Sequence, residues 1–201
     1  MASRHERRPH QRRPDDKEIA QQRGVYGVYR RIAPGSVPII GEAIEALAPE
    51  VQNAGRLFSP DSVTVTVVGF SRFSPRHIRK GPKTRDVVER VGSLCEEMPA
   101  VLGSLAVFGS GNNYKLSFNL DSDRLKLEEY ELADTFEDLG GQMLPCNNEA
   151  GVYMPHLSVA KLQTDHVGFF EDERTLDRLN SIVEASIGRA ILLQPINHDT
   201  I

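Results

Sequence analysis

The stretch Met154–Leu162, MPHLSVAKL, decides how the rest of the chain is read. It lies in an apolar, β-branched run over 152–162 that reads as a strand. Side chains alternate along a strand, so His156 and Ser158 share one face while Leu157 and Val159 take the other. An imidazole that exchanges a proton near neutral pH, beside a hydroxyl, suits an oxyanion such as a phosphate. A His-x-Ser pair on a strand is also an ordinary hydrogen-bonded structural pair, and the two residues alone leave both readings open.

Strand and helix signals alternate on either side. Gly24–Ile32 (GVYGVYRRI) reads as a first strand, closed by Ala33-Pro34-Gly35-Ser36. Over 37–51, Ile40, Ala43, Ile44, Leu47 and Ala48 recur at helical spacing. A loop over 53–61 leads to Ser62–Phe70 (SVTVTVVGF), a strand dense in β-branched residues. The polar span 71–83 is a loop, and 84–97 carries Val87, Val88, Val91, Leu94 and Cys95 at helical spacing. Strands over 100–108 and 113–120 flank the hairpin signal Gly109-Ser110-Gly111-Asn112. Asp121-Ser122-Asp123 offers caps for a helix to about Leu139, which Gly140-Gly141 ends. A helix over 175–187 and a strand over 189–196 follow the central segment. Alternation broken by a hairpin predicts an α/β (α+β) class and does not fit a doubly wound parallel sheet.

The composition, 39% hydrophobic and 26% charged over 201 residues, fits one folded domain and is too apolar for wholesale disorder. No apolar run reaches the roughly 18–20 residues of a membrane span, and no apolar stretch of a secretory signal follows the basic head. Cys95 and Cys146 are too few for a disulfide framework and lack partners at metal spacing, so a cytoplasmic setting is expected. No glycine-rich phosphate loop stands between a strand and a helix. The net charge of −4 hides an asymmetry: residues 1–13 hold five arginines against Glu6, a local +4, which leaves −8 on the rest. Residues 1–23 therefore read as a flexible arginine-rich tail ahead of a domain over 24–201. The tail is either a solubilising extension or a weak, salt-sensitive attractor of RNA. On an acidic body, any nucleic-acid contact has to come from a local site.

The segment MPHLSVA, with Pro155 before the histidine and a small apolar run after it, resembles the second signature of the two-histidine (2H) phosphoesterase superfamily. That signature is apolar-Pro-His-apolar-Ser/Thr-apolar-Ala, and the superfamily includes 2′,5′ RNA ligase-like proteins and RNA cyclic phosphodiesterases. The resemblance extends over about residues 25–196. It takes in the opening strand up to Pro34, the stretch AVFGSGNNYKLSFNL, the helix 123–139 and the closing Gln194-Pro195-Ile196. It implies a bilobed, pseudo-twofold fold with two antiparallel-rich sheets around a central cleft, each half supplying one His-x-Thr/Ser strand. It also implies phosphodiester chemistry on an RNA end or cyclic nucleotide without metal or cofactor. One histidine takes a proton from the attacking group, the other gives one to the leaving oxygen, and the hydroxyls hold the non-bridging oxygens.

The first signature departs from this pattern. Aligned on the alternation of SVTVTVVGF, Thr64 takes the place of the first histidine and Thr66 that of its threonine. Threonine has no titration near neutral pH, and acid–base help is worth roughly 10²–10⁴-fold. The expected site is His156 as the remaining acid or base, with Ser158, Thr64 and Thr66 as donors to the phosphate oxygens. The activity expected to remain is slow hydrolysis of a 2′,3′-cyclic phosphate, with His156 protonating the leaving oxygen. The rival readings are a non-catalytic cleft that binds a nucleotide or RNA end, and a partner-binding scaffold whose cleft is vestigial. His77, among Arg76, Arg79 and Lys80, is the one other imidazole worth weighing, either as a solvated loop residue or folded over the cleft. His5 and His10 fall in the tail, His166 in a loop and His198 beyond the last strand. Tyr26, Tyr29 and Tyr153 are either half-buried packing residues or surfaces on which a base stacks. Glu128, Glu129, Glu131, Glu137 and Asp138 read as the solvated face of their helix. The whole reading requires the segments around positions 64 and 156 to lie side by side.

Overall fold

The computed structural model describes residues 25–71, 96–138 and 153–195. Its strands are β1 (Val25–Ile32), β2 (Gly55–Leu57), β3 (Thr64–Ser71), β4 (Met98–Ser110), β5 (Asn113–Asp121), β6 (His156–Leu162) and β7 (Ala190–Pro195). They form one sheet in the order β2-β6-β3-β1-β7-β4-β5, antiparallel at every pairing. A further pairing of β5 with β6 closes six of these strands into a barrel. The expected α/β class with antiparallel pairing is present, but as one closed sheet where two sheets were expected, because β5 pairs with β6. Its two halves meet at two narrow seams: β3 with β6 through Val65 and Leu157, and β1 with β7 through Arg30–Ile32 and Leu193–Pro195.

Four helices accompany the sheet: α1 (Val37–Val51), α2 (Asp123–Asp138), α3 (Val167–Glu171) and α4 (Glu173–Ile182). The stripe Ile40, Ala43, Ile44, Leu47 and Val51 is the buried side of α1. Together with Leu125 and Leu132 of α2, Phe170 of α3 and Leu179 of α4, it joins Val65, Val67, Leu116, Phe118 and Leu157 in one core. One face of the strands is thereby committed to the helices. The alternate residues of β3, β5 and β6 fall on the opposite face.

Local chemistry sets the boundaries. The Ser122 hydroxyl caps α2 by accepting from the Leu125 amide at 3.3 Å and donates to the Pro99 carbonyl at 3.1 Å. Asp172 accepts from the Thr175 amide at 3.1 Å, so α4 opens at Glu173, earlier than its apolar spacing suggests. Pro155 has no amide to give a ladder, and β6 starts one residue after it instead of at 152. Between β4 and β5 only Gly111 and Asn112 turn, Gly111 at φ 61°. Gly109 sits at φ 133°, where an added Cβ would lie 2.1 Å from the Asn113 carbonyl oxygen. The short strand β2 and helix α3 escape the sequence reading, since neither is long enough to show a period. The helix expected over 84–97 falls outside the described residues apart from Glu96 and Glu97, which precede β4.

The expectation for Glu128 is also overturned. Glu128 is not on the solvated face of α2: its side chain is 4% exposed and grips the fully buried Arg30 of β1. Arg30 Nε donates to Glu128 Oε2 and Nη2 to Oε1, both at 2.8 Å, while Nη1 donates to the Glu96 carbonyl at 2.8 Å. Arg30 lies opposite Val65, on the helix-covered face, so its charge needs a partner there. Glu131 and Asp138 are exposed as expected. Replacing Glu128 by Ala strands the guanidinium in the core and is expected to cost about 3–5 kcal/mol in urea unfolding. The double substitution Arg30→Met with Glu128→Leu is expected to recover most of that loss, and a double variant no better than the single one contradicts this account.

Candidate functional site

The seam between β3 and β6 brings all four sequence-selected residues together. With Val65 opposite Leu157, the antiparallel register sets Thr64 beside Ser158 and Thr66 beside His156. Val65 and Leu157 are fully buried in the core while Thr64 and Thr66 are exposed, which puts the four polar side chains on the other face. Directly opposed residues have Cβ atoms about 4.5–5.5 Å apart. Tyr153 reinforces this seam: its hydroxyl donates to the Thr66 carbonyl at 2.8 Å. Burial, helped by the charges of Glu129 and Glu128, raises the Tyr153 pKa well above the usual phenol value. It stays a donor, tying the entry of β6 to β3. The packing reading therefore holds for Tyr153, and Tyr29 is half-buried opposite Thr66. The Tyr26 side chain lies outside the described residues.

The opposite edge of β6 is lined by β5, with Asn119 opposite His156 and Ser117 opposite Ser158. The fully buried Ser117 donates its hydroxyl to Ser158 Oγ at 3.0 Å. Ser158, 9% exposed, keeps its own hydroxyl hydrogen for another acceptor. Asn119 Nδ2 is turned to the Ser104 carbonyl at 3.1 Å.

His156 is held on two sides. Its Nδ1 lies 2.9 Å from the Met154 carbonyl, which only accepts, so Nδ1 carries the proton and Nε2 of the neutral ring bears the lone pair. Phe108 of β4 stacks on the ring, centroids 4.2 Å apart and planes 6° from parallel. Burial lowers the imidazole pKa below its ordinary value; the Lys115 charge adds to this, and the Met154 carbonyl opposes it. The surroundings thus favour the neutral ring.

Among the described residues the other imidazole is His166, bonded through Nδ1 to Asp165 at 3.2 Å. It follows the far end of β6, about 20 Å from His156 along the strand. His5, His10, His77 and His198 lie outside the described residues. No group of three or more metal-ligating side chains occurs among the described residues.

Sequence reasoning missed Phe108, Ser117 and Lys115. The alternation of NYKLSFNL was visible and puts Lys115, Ser117 and Asn119 on one face, but only the pairing of β5 with β6 tells that this is the face of His156.

No protein-family model matches the sequence, and no curated relative does. The fold is similar to solved structures. Usb1 of Kluyveromyces marxianus superposes with a TM-score of 0.52 at 12% identity, covering 88% of this chain and all of that one. The same protein with uridine monophosphate gives 0.51 at 12% identity over the same shares of both chains. TT0787 of Thermus thermophilus gives 0.50 at 13% identity, over 84% of this chain and 82% of that one. Both proteins are members of the two-histidine phosphoesterase superfamily, so the fold agrees with the resemblance carried by MPHLSVA.

The state of the ring has a measurable consequence. The unfolded chain binds a proton at His156 more readily than the folded one, so this contribution to stability is whole above about pH 6.5. It is lost as pH falls through the depressed folded value. By NMR the His156 imidazole is expected to titrate below about pH 6.5, and Phe108→Ala, which opens one ring face to water, to move the midpoint up. A midpoint at or above the ordinary value in the unmodified protein would contradict the reading.

Proposed function

We propose, taking the shared two-histidine phosphoesterase fold as premise, that the chain binds and slowly hydrolyses a cyclic phosphodiester at an RNA end or on a nucleotide. The observation that supports this most is the meeting of His156 and Ser158 with Thr64 and Thr66 on one face of two adjacent strands. The hydroxyls of Ser158, Thr64 and Thr66 donate to the non-bridging phosphate oxygens. Ser117, by donating to Ser158, leaves that hydroxyl free to do so.

His156 is better suited to be the base than the acid of the original expectation. A ring held neutral, with its Nδ1 proton engaged by Met154, offers the Nε2 lone pair. Nε2 takes a proton from water as the water oxygen bonds to phosphorus. One ester P–O bond of the cyclic phosphate breaks, leaving a monoester and an alkoxide that takes its proton from solvent. Attack and departure are in line on opposite sides of phosphorus, so one imidazole does not serve both. By the resemblance Thr64 takes the place of the first histidine, and a threonine supplies no proton carrier there. The absent half of general acid–base catalysis is worth roughly 10²–10⁴-fold, which makes turnover slow.

That same substitution supports a second reading, in which the face holds a nucleotide or RNA end without converting it. Incubation of the full chain with uridine 2′,3′-cyclic phosphate, followed by phosphorus NMR, separates the two. Monoester formation that drops about a hundredfold in His156→Ala supports hydrolysis. Saturable binding without product supports the binding module, and absence of both overturns the two readings together.

A further inference from the structure

A row of cations crosses the sheet beside the site. The register sets Arg56 of β2 opposite Lys161 of β6, Lys161 opposite Lys115 of β5, and Lys115 opposite Phe108 of β4. Neighbours in such a row stand about 4.8 Å apart. The face is that of His156 and Ser158, because the β5–β6 register slips by one residue at Val159. Ser117 pairs with Ser158 but Leu116 with Ala160, so Lys161 returns to the side of Ser158.

Three like charges in one cross-strand row oppose folding. Among the described residues none of the three has a carboxylate within salt-bridge distance. Burial, with the Lys161 charge added, pulls the Lys115 pKa below its ordinary value. The row is joined to the site at one end: Phe108 stacks on His156, and the Lys115 charge is felt by that imidazole. At the other end Arg56 and Lys161 line an open groove of about 530 Å³, with Asn112 and Thr164 as further donors and Asp165 as its one carboxylate. The chain as a whole is acidic, which leaves this row as a local exception.

We propose that Lys115, Lys161 and Arg56 bind successive backbone phosphates of a single-stranded oligonucleotide whose terminal phosphodiester lies at His156 and Ser158. The substrate is then the end of a chain, and a mononucleotide fills only part of the site. The inference rests on the phosphoesterase reading above. A polyanion relieves the repulsion within the row, and releasing its counterions makes the affinity depend on salt.

The test compares uridine 2′,3′-cyclic phosphate with a six-residue oligouridylate ending in the same cyclic phosphate, by calorimetric titration at several salt concentrations. The oligonucleotide is expected to bind at least tenfold more tightly. Lys161→Ala with Arg56→Ala is expected to remove most of that advantage and to flatten the log–log salt slope by about 0.7 per cation removed. Circular dichroism checks that the variant is folded. Equal affinities for the two ligands, or an advantage untouched by the substitutions in folded protein, overturn the row while leaving the phosphoesterase reading intact. Failure of the wild-type chain to bind either ligand overturns both.

Discussion

Strand β6 is paired along both edges, and the rest of the site depends on that constraint. With β5 on one side and β3 and β2 on the other, its backbone has little freedom to rotate, and each side chain is assigned to a face. Leu157 goes to the core and His156 and Ser158 to the other side. Because the neighbours are antiparallel and in register, each polar residue of the His156–Ser158 pair is met by a polar residue on both flanks. The site is therefore a patch of sheet, with its precision set by a ladder instead of by a loop. Side chains on such a surface lose little freedom on meeting a ligand, which favours binding geometry over adaptability.

How much of this was legible beforehand follows from what a period can encode. The stripe Ile40, Ala43, Ile44 and Leu47 is buried as its spacing requires, and the valines of SVTVTV alternate inward while the threonines stay out. The side-by-side placement of positions 64 and 156 was expected from resemblance, and Val65 opposite Leu157 realises it. The Phe108 stack, the Ser117 hydroxyl and the row of cations were illegible, because each depends on partners more than forty residues apart in chain order. Glu128 shows the opposite failure. A glutamate among glutamates on a polar helix looks solvated, and only the arrival of Arg30 on the inner face of β1 reverses that.

That buried pair also bears on how the two halves of the sheet are held. Arg30 stands in β1, at the seam with β7, opposite Pro195. Its guanidinium reaches both a carboxylate on α2 and a carbonyl just ahead of β4. A hydrophobic residue at that position would fill the space without directing it. The forked donor ties β1 to α2 and to the chain entering β4 through three directional hydrogen bonds.

The extra residue at Val159 has a bearing on how this sequence can change over evolutionary time. Between Ser158 and Lys161 the chain advances by an odd step, yet both emerge on the same side, because one residue is taken up out of register. Exchanging one apolar side chain for another there preserves that arrangement. Losing a single codon there leaves an even step, which an unbroken ladder carries on one face, so the lysine keeps its side and only the local bend disappears. The spacing between imidazole and lysine thus has room to shorten by the one surplus residue, whereas lengthening it by one would turn the lysine toward the oily interior.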